Sequence, residues 1–143
     1  MKVSKRTEYG LRAIVTLAER SQDGARPVSL REIAAIEEIP EAFLDQIFGV
    51  LRREGIVISV RGANGGYLLA HKPQEMSMGK IVTLLEGGMA PIGCVSTEFS
   101  SPVDFCVKAV ACHTRNVWMK LYNSIERTLD GITLADVMDE FGL

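Results

Sequence analysis

Every thiol in this 143-residue chain lies in one short stretch: Cys94, Cys106 and Cys112 fall within nineteen residues, and His113 follows the last of them. Thiolates ligate soft metals and iron–sulfur clusters, attack electrophiles and pair as disulfides. Spacing limits these options. Cys106 and Cys112 are six positions apart, which on a continuous helix means about 9 Å of rise and about 600° of rotation, so their side chains would diverge. A shared site therefore needs residues 107–111 to bend. The Cys-x-x-Cys signature of zinc fingers is absent, and an odd count of three fits a disulfide framework poorly. On spacing alone the three read as buried or incidental thiols. No nucleophile–base pair is discernible, and the two histidines, His71 and His113, fall in different halves of the chain. The sequence does not read as an enzyme.

A second constellation is Arg61-Gly-Ala-Asn-Gly-Gly66-Tyr67. It lacks the Lys-Ser/Thr of a phosphate-binding loop and leads into a β-branched and aromatic run instead of a helix, so no nucleotide site is expected. Charge is distributed unevenly. Residues 1–72 hold 11 Lys and Arg against 9 Asp and Glu, a balance of +2, and residues 73–143 hold 5 against 9, a balance of −4. That is the direction expected if the first half meets phosphates and the second does not. Hydrophobic residues at 47% and charged residues at 24% describe an ordinary globular protein. The N-terminus leads into an amphipathic pattern unlike a signal peptide, and no uncharged run approaches a membrane span. A cytoplasmic protein with reduced thiols and no membrane partner is expected.

The elements that would position these residues can be read in order. A first helix runs from about Ser4 to Arg20, with Leu11, Ile14, Val15 and Ala18 on one stripe. Ser29-Leu-Arg-Glu32 is a capping box for a short helix from Leu30 to about Ile36, in which Glu32 is expected to reach back to the cap. Pro40 suits the first turn of a third helix, where Leu44, Ile47, Phe48 and Leu51 face inward and Glu41, Asp45, Gln46, Arg52 and Arg53 outward. Ile56–Val60 and Tyr67–Ala70 read as strands around the glycine turn. Three helices followed by a hairpin with an arginine at its tip is the layout of a winged helix-turn-helix, whose third helix enters the major groove of DNA. Ser77 caps a helix to about Glu86, residues 88–104 read as loop, and a long amphipathic helix spans Thr114 to Leu129. Thr133-Leu-Ala-Asp136 starts a last short helix ending near Glu140. The expected fold is mainly α: a winged helix-turn-helix over residues 1–72, then a loop and a long C-terminal dimerisation helix over residues 73–143.

Several motifs resemble one family. They are Lys2-Val-Ser-Lys-Arg-Thr-Glu-Tyr-Gly-Leu-Arg-Ala13, Ile39-Pro-Glu-Ala-Phe-Leu-Asp-Gln-Ile-Phe48, Leu51-Arg-Arg-Glu-Gly55 and Arg61-Gly-Ala-Asn-Gly-Gly-Tyr-Leu-Leu-Ala70. With Gly79–Gly87 and Trp118–Val137, they make the chain similar to the IscR/NsrR/CymR family of dimeric bacterial transcription regulators along nearly its whole length. The resemblance implies binding to double-stranded DNA at a palindromic operator. It places base readers at Pro40, Ala42, Asp45 and Gln46, with Arg61 in the wing. By chemistry, Gln46 can pair with an adenine edge, Asp45 can accept from a cytosine amine, and Arg61 suits a narrow minor groove. Arg52, Arg53 and Lys5 are candidates for phosphate contact. Some relatives carry a hydroxyl where this chain has Pro40 and Ala42, so their operator is not carried over.

The resemblance also implies a homodimer formed through the long helix, with Trp118, Leu121, Tyr122, Ile125 and Leu129 on adjoining stripes. Cluster-binding members place three cysteines in this same region, so Cys94, Cys106 and Cys112 become candidate ligands of an iron–sulfur cluster, 2Fe-2S or 4Fe-4S. The second gap matches theirs. The first gap, Cys94-x11-Cys106, is several residues longer, with the extra residues near Ser96–Pro102. Glu8 occupies the place of an N-terminal carboxylate that reaches the partner's cluster in nitric-oxide-sensing members. The family's histidine ligand lies further past the third cysteine than His113, which makes Glu8 the better fourth ligand. The reading is a regulator gated by an iron–sulfur cluster that senses iron–sulfur status, redox state or nitric oxide. The alternative is a cluster-free member, acting as a thiol-redox sensor or controlled by docking of a metabolic enzyme.

Overall fold

The structure is a computed structural model that describes residues 2–97 and 100–140. Helix α1 covers Lys5–Arg20, and its N-terminus is closed by the Ser4 hydroxyl, which accepts from the Thr7 amide. Helix α2, Leu30–Glu37, starts in the same way, with the Ser29 hydroxyl accepting from the Glu32 amide at 3.1 Å. The return half of that capping box does not form. Glu32 instead takes a 2.7 Å bond from Arg26, a charged donor that outcompetes a neutral backbone N–H. Glu38 closes α2 in the left-handed conformation at φ 55°, and Ile39 plugs the turn at 3% exposure.

Helix α3, Glu41–Arg53, begins one residue later than expected: Pro40 is its cap, and its carbonyl accepts from Phe43 and Leu44. The 3.6-residue periodicity holds. Leu44, Ile47, Phe48 and Leu51 are all buried. Strands β1 (Val57–Val60) and β2 (Gly66–Leu69) form an antiparallel hairpin in which Ser59 faces Tyr67. Val28 adds a single bridge to Tyr67, and a side chain at Gly66 would run into the Val28 backbone, which explains the glycine there. Tyr67 also meets Phe48 edge-on at 4.9 Å, so the wing is keyed to α3.

Helix α4, Met78–Glu86, is capped by Ser77 and ends at Gly87 in the left-handed region, φ 80°. The core continues past residue 72. Met76, Met78, Ile81 and Leu85 join Leu17, Leu44 and Phe48 in one buried cluster, and Leu134 of the last helix completes it. Residues 88–104, expected as loop, contain a 3-10 turn at Gly93–Val95 and a short helix α5, Pro102–Phe105. A reciprocal capping box between Ser101 and Asp104 starts α5. Helix α6, Arg115–Asp130, is 16 residues long and holds no fully buried residue. Helix α7, Leu134–Glu140, starts with the expected pair: Thr133 Oγ1 accepts from the Asp136 amide at 3.1 Å, and Asp136 accepts from the Thr133 amide at 2.9 Å. The chain is thus mainly helical with one small antiparallel hairpin.

Candidate nucleic-acid interface and cysteine loop

The outward face of α3 carries the residues singled out for DNA. Pro40, Ala42, Asp45, Gln46 and Arg52 are all exposed, because the opposite face is taken by the core. Arg61 is exposed beyond β1, at the start of the wing turn. Asp45, Gln46, Arg52 and Arg53 share one concavity with Arg6 of α1, which the sequence reading did not single out. The signal that could have found Arg6 is three-dimensional: Tyr9 packs edge-on against Phe43 at 5.6 Å, which sets the first turn of α1 beside α3. Lys5 is bound to Glu8 at 2.9 Å, and this pairing holds the lysine above its usual pKa. Candidate phosphate contact and candidate cluster ligand are therefore partners of each other on α1. Both are well exposed, so the pair is easily exchanged for others.

At this same end of α1, the start of the helix is latched to the end of α4. Glu86 accepts from the Ser4 amide, from the Ser4 hydroxyl at 3.0 Å and from the Thr7 hydroxyl. The Thr7 hydroxyl first, and then Ser4, hold the Glu86 carboxyl below its ordinary value against the opposing effect of burial.

Directly after Glu86, Gly87 and Gly88 lead into the cysteine loop. Cys94 is buried with Val95 and Ala109 under Ile92, Trp118, Met119 and Tyr122. Arg115 donates through Nε to the Cys94 carbonyl at 3.0 Å, so the first turn of α6 holds the loop in place. A side chain at Gly93 would meet the Phe105 ring, which places Cys94 and Cys106 next to two residues in mutual contact. Cys106 ends α5 in an extended conformation and is exposed. The segment to Cys112 is no continuous helix: a 3-10 turn covers Ala109–Ala111, and Cys112 is again extended. The bend that a shared site requires is thus present.

Cys112 lies 3.1 Å from the Thr114 hydroxyl. That hydroxyl first, and then the backbone amides of Arg115 and Thr114, lower its thiol pKa from the usual 9.0. His113 is exposed. All three thiols are unpaired. As soft donors on one bent loop they suit an iron–sulfur cluster in type and supply three of its four ligands, although among the described residues no three His, Cys, Asp or Glu side chains converge as a metal site. Glu98 and Phe99, in the long first gap, lie outside the described residues.

Of the residues expected on the α6 seam, Trp118 and Tyr122 pack on their own chain's cysteine loop. Burial, and then Glu126, raise the Tyr122 pKa. Ile125 and Leu129 instead line an open groove of about 610 Å³ with Val3, Met89 and Pro91. Val117 is 60% exposed and Val3 64%.

Residues 3–140 match the Rrf2 family, described as an iron-dependent transcriptional regulator. The Rrf2 protein of Nitratidesulfovibrio vulgaris is 34% identical over all of this chain and 91% of its own length. Among solved structures, that of T. potens IscR superposes with a TM-score of 0.73 at 38% identity, covering 98% of this chain and 88% of the other. The structure of CymR, the global cysteine regulator of Bacillus subtilis, gives 0.76 at 31% identity and covers 98% of both chains. No described helix is long and apolar enough to cross a membrane.

Proposed function

Since the chain belongs to the Rrf2 family of DNA-binding transcriptional regulators, and not to an enzyme family, we propose that it is a homodimeric operator-binding protein gated by an iron–sulfur cluster on its cysteine loop. The observation that carries this reading is the loop itself. Its three unpaired thiols sit on a bent segment fastened at one end to α6 and at the other, through Gly87–Gly88, to the latch on α1.

The division of labour is reading by residues 1–72 and sensing and pairing by residues 73–143, built on a shared core. On the reading side, Gln46 and Asp45 present their polar groups to base edges, Pro40 and Ala42 set the entry of α3, and Arg61 extends the contact through the wing. Arg52 and, when released from Glu8, Lys5 neutralise phosphates. On the pairing side, α6 leaves its apolar stripe only half covered within one chain, and Leu121, Ile125 and Leu129 meet the same stripe of a second copy. Trp118 and Tyr122 sit behind that seam and support the loop.

Cys94, Cys106 and Cys112 would hold the cluster, with Glu8 of the second copy as the oxygen ligand. When bound, the group supplies a cross-link that oxidation or nitric oxide removes. The protein's own part is mechanical. Arg115 fixes the Cys94 carbonyl, and a shift of the loop pulls on Gly87–Gly88 and hence on Glu86, which sets the pose of α1 beside α3. The half-site spacing that the dimer reaches then changes.

A second reading, a cluster-free thiol switch between Cys106 and Cys112, is favoured by one observation: both thiols reach the surface. Docking of a metabolic enzyme is the remaining alternative. Protein isolated without air separates these readings. Iron and sulfide with a visible absorption band support the cluster. A colourless protein that loses two hydrogens on oxidation supports the thiol switch, and a colourless, redox-inert protein supports docking.

A further inference from the structure

Among the described residues three glycines lie inside α-helices, and packing explains two of them. A side chain at Gly10 would sit 2.6 Å from Leu85 Cδ1, and one at Gly79 would collide with Asp130. Gly49, in the interior of α3, has no such reason. An added Cβ would meet only the far end of Arg53, at an ordinary 3.6 Å. Glycine in a helix interior weakens the helix, so a glycine the fold does not need points to something outside the fold that comes close.

What surrounds Gly49 identifies it. Gly49 is part of the lining of a concavity of about 520 Å³, together with Arg6, Arg52, Arg53, Gln46 and Asp45. Three cations against one carboxylate leave this small surface at +2. Among the described residues none of the three arginines takes part in an ion pair, whereas Lys5, Arg12 and Arg26 each have a glutamate. Their charge is thus available to an external anion. Gly49 lies one helical turn beyond Asp45 and Gln46, on the same face.

Resting on the reading of α3 as the DNA-facing helix, we infer that this concavity receives a phosphodiester of the DNA backbone. Arg6, Arg52 and Arg53 close around the phosphate, and the missing side chain of Gly49 lets it approach the helix. Phosphate contacts fix register and carry no base information, so this site sets where Gln46 lands without itself choosing a base.

The test compares wild type with Gly49→Ala, Arg6→Gln and Gln46→Ala. Affinities are measured by fluorescence anisotropy for a duplex recovered by binding-site selection and for a scrambled duplex of the same composition. Gly49→Ala should fold and melt no lower than wild type, yet lose about tenfold in affinity for both duplexes. Arg6→Gln should weaken both alike and reduce the slope of log affinity against log salt by about one per subunit. Inorganic phosphate at matched ionic strength should not compete. The inference is overturned if Gly49→Ala binds both duplexes as wild type does, if its loss is confined to the selected duplex, if Arg6→Gln leaves the salt slope unchanged, or if free phosphate competes. In all those cases a shifted base preference in Gln46→Ala still upholds α3 as the reader. If Gln46→Ala is also silent, that underlying reading falls as well.

Discussion

Replacing Glu86 by alanine tests the junction between reading head and cysteine loop. The carboxylate accepts from three donors: the Ser4 amide, the Ser4 hydroxyl and the Thr7 hydroxyl. Thr7 is 1% exposed, so its hydroxyl loses its carboxylate acceptor out of reach of water and keeps only the Ser4 hydroxyl at 3.2 Å, whereas Ser4 is exposed and rehydrates. Counting the buried donor in full and discounting the two at Ser4, the loss is about 2 kcal/mol, or about 5–8 °C in melting temperature for a chain of this size. The pH dependence identifies the cause. The folded protein holds the Glu86 carboxyl below the usual 4.5, so its contribution is present above that value and is lost as pH falls through the lower folded value. Thermal unfolding followed by circular dichroism should show the full gap between wild type and Glu86→Ala at neutral pH and a closing gap on acidification. Glu86→Gln, which keeps one acceptor oxygen and no charge, should fall between them. A gap under about 1 °C at neutral pH, or one that persists undiminished well below pH 4.5, would refute the latch.

Three further outcomes follow from the packing. Leu121→Asp or Ile125→Asp should place a charge in the α6 seam at a cost of several kcal/mol, read as monomers of intact helical content in sedimentation. Wild type that is itself monomeric at micromolar concentration would end that assignment. Gly10→Val should drive a branched side chain into Leu85 and cost about 1–3 kcal/mol or more, measured by urea unfolding; an unchanged midpoint would show that α1 and α4 pack more loosely than described. Serine at Cys94, Cys106 or Cys112 should each remove the coloured species of anaerobically isolated protein, since a hydroxyl poorly replaces a soft thiolate. Glu8→Ala should leave it altered and short-lived, and His113→Ala should leave it intact. Normal colour in Cys94→Ser would remove Cys94 from the ligand set.

Much of the reading head was legible because local rules govern it. The spacing of Leu44, Ile47, Phe48 and Leu51 gave the buried face of α3, and the cap at Ser29, like those at Ser77 and Thr133 in the second half, marked a helix start within a residue. The misses have a common origin in partners distant in sequence. Glu32 left its cap for Arg26, six residues away. Met76, Met78 and Leu134 joined the core of the first half because α7 returns to the start of α4, where Leu134 donates its amide to the Met76 carbonyl. Trp118 and Tyr122, expected on a seam, also pack on their own chain's loop, a contact no helical periodicity encodes. In the loop, Pro102 and the Ser101–Asp104 box start α5, a helix of four residues, too short for any periodicity to register. Arg6 and Gly49 escaped notice for the same reason: their meaning lies in what surrounds them.

The central claim is that the state of the cysteine loop sets operator affinity. It is tested most directly on one anaerobic preparation with iron and sulfide quantified, by measuring affinity for a selected operator duplex before and after oxidative removal of the metal. Bound iron and inorganic sulfide are expected, and a change in operator affinity of about tenfold or more when they are removed, with little change for a scrambled duplex. Protein isolated without iron and sulfide, or an operator affinity that does not change when they are lost, would contradict it.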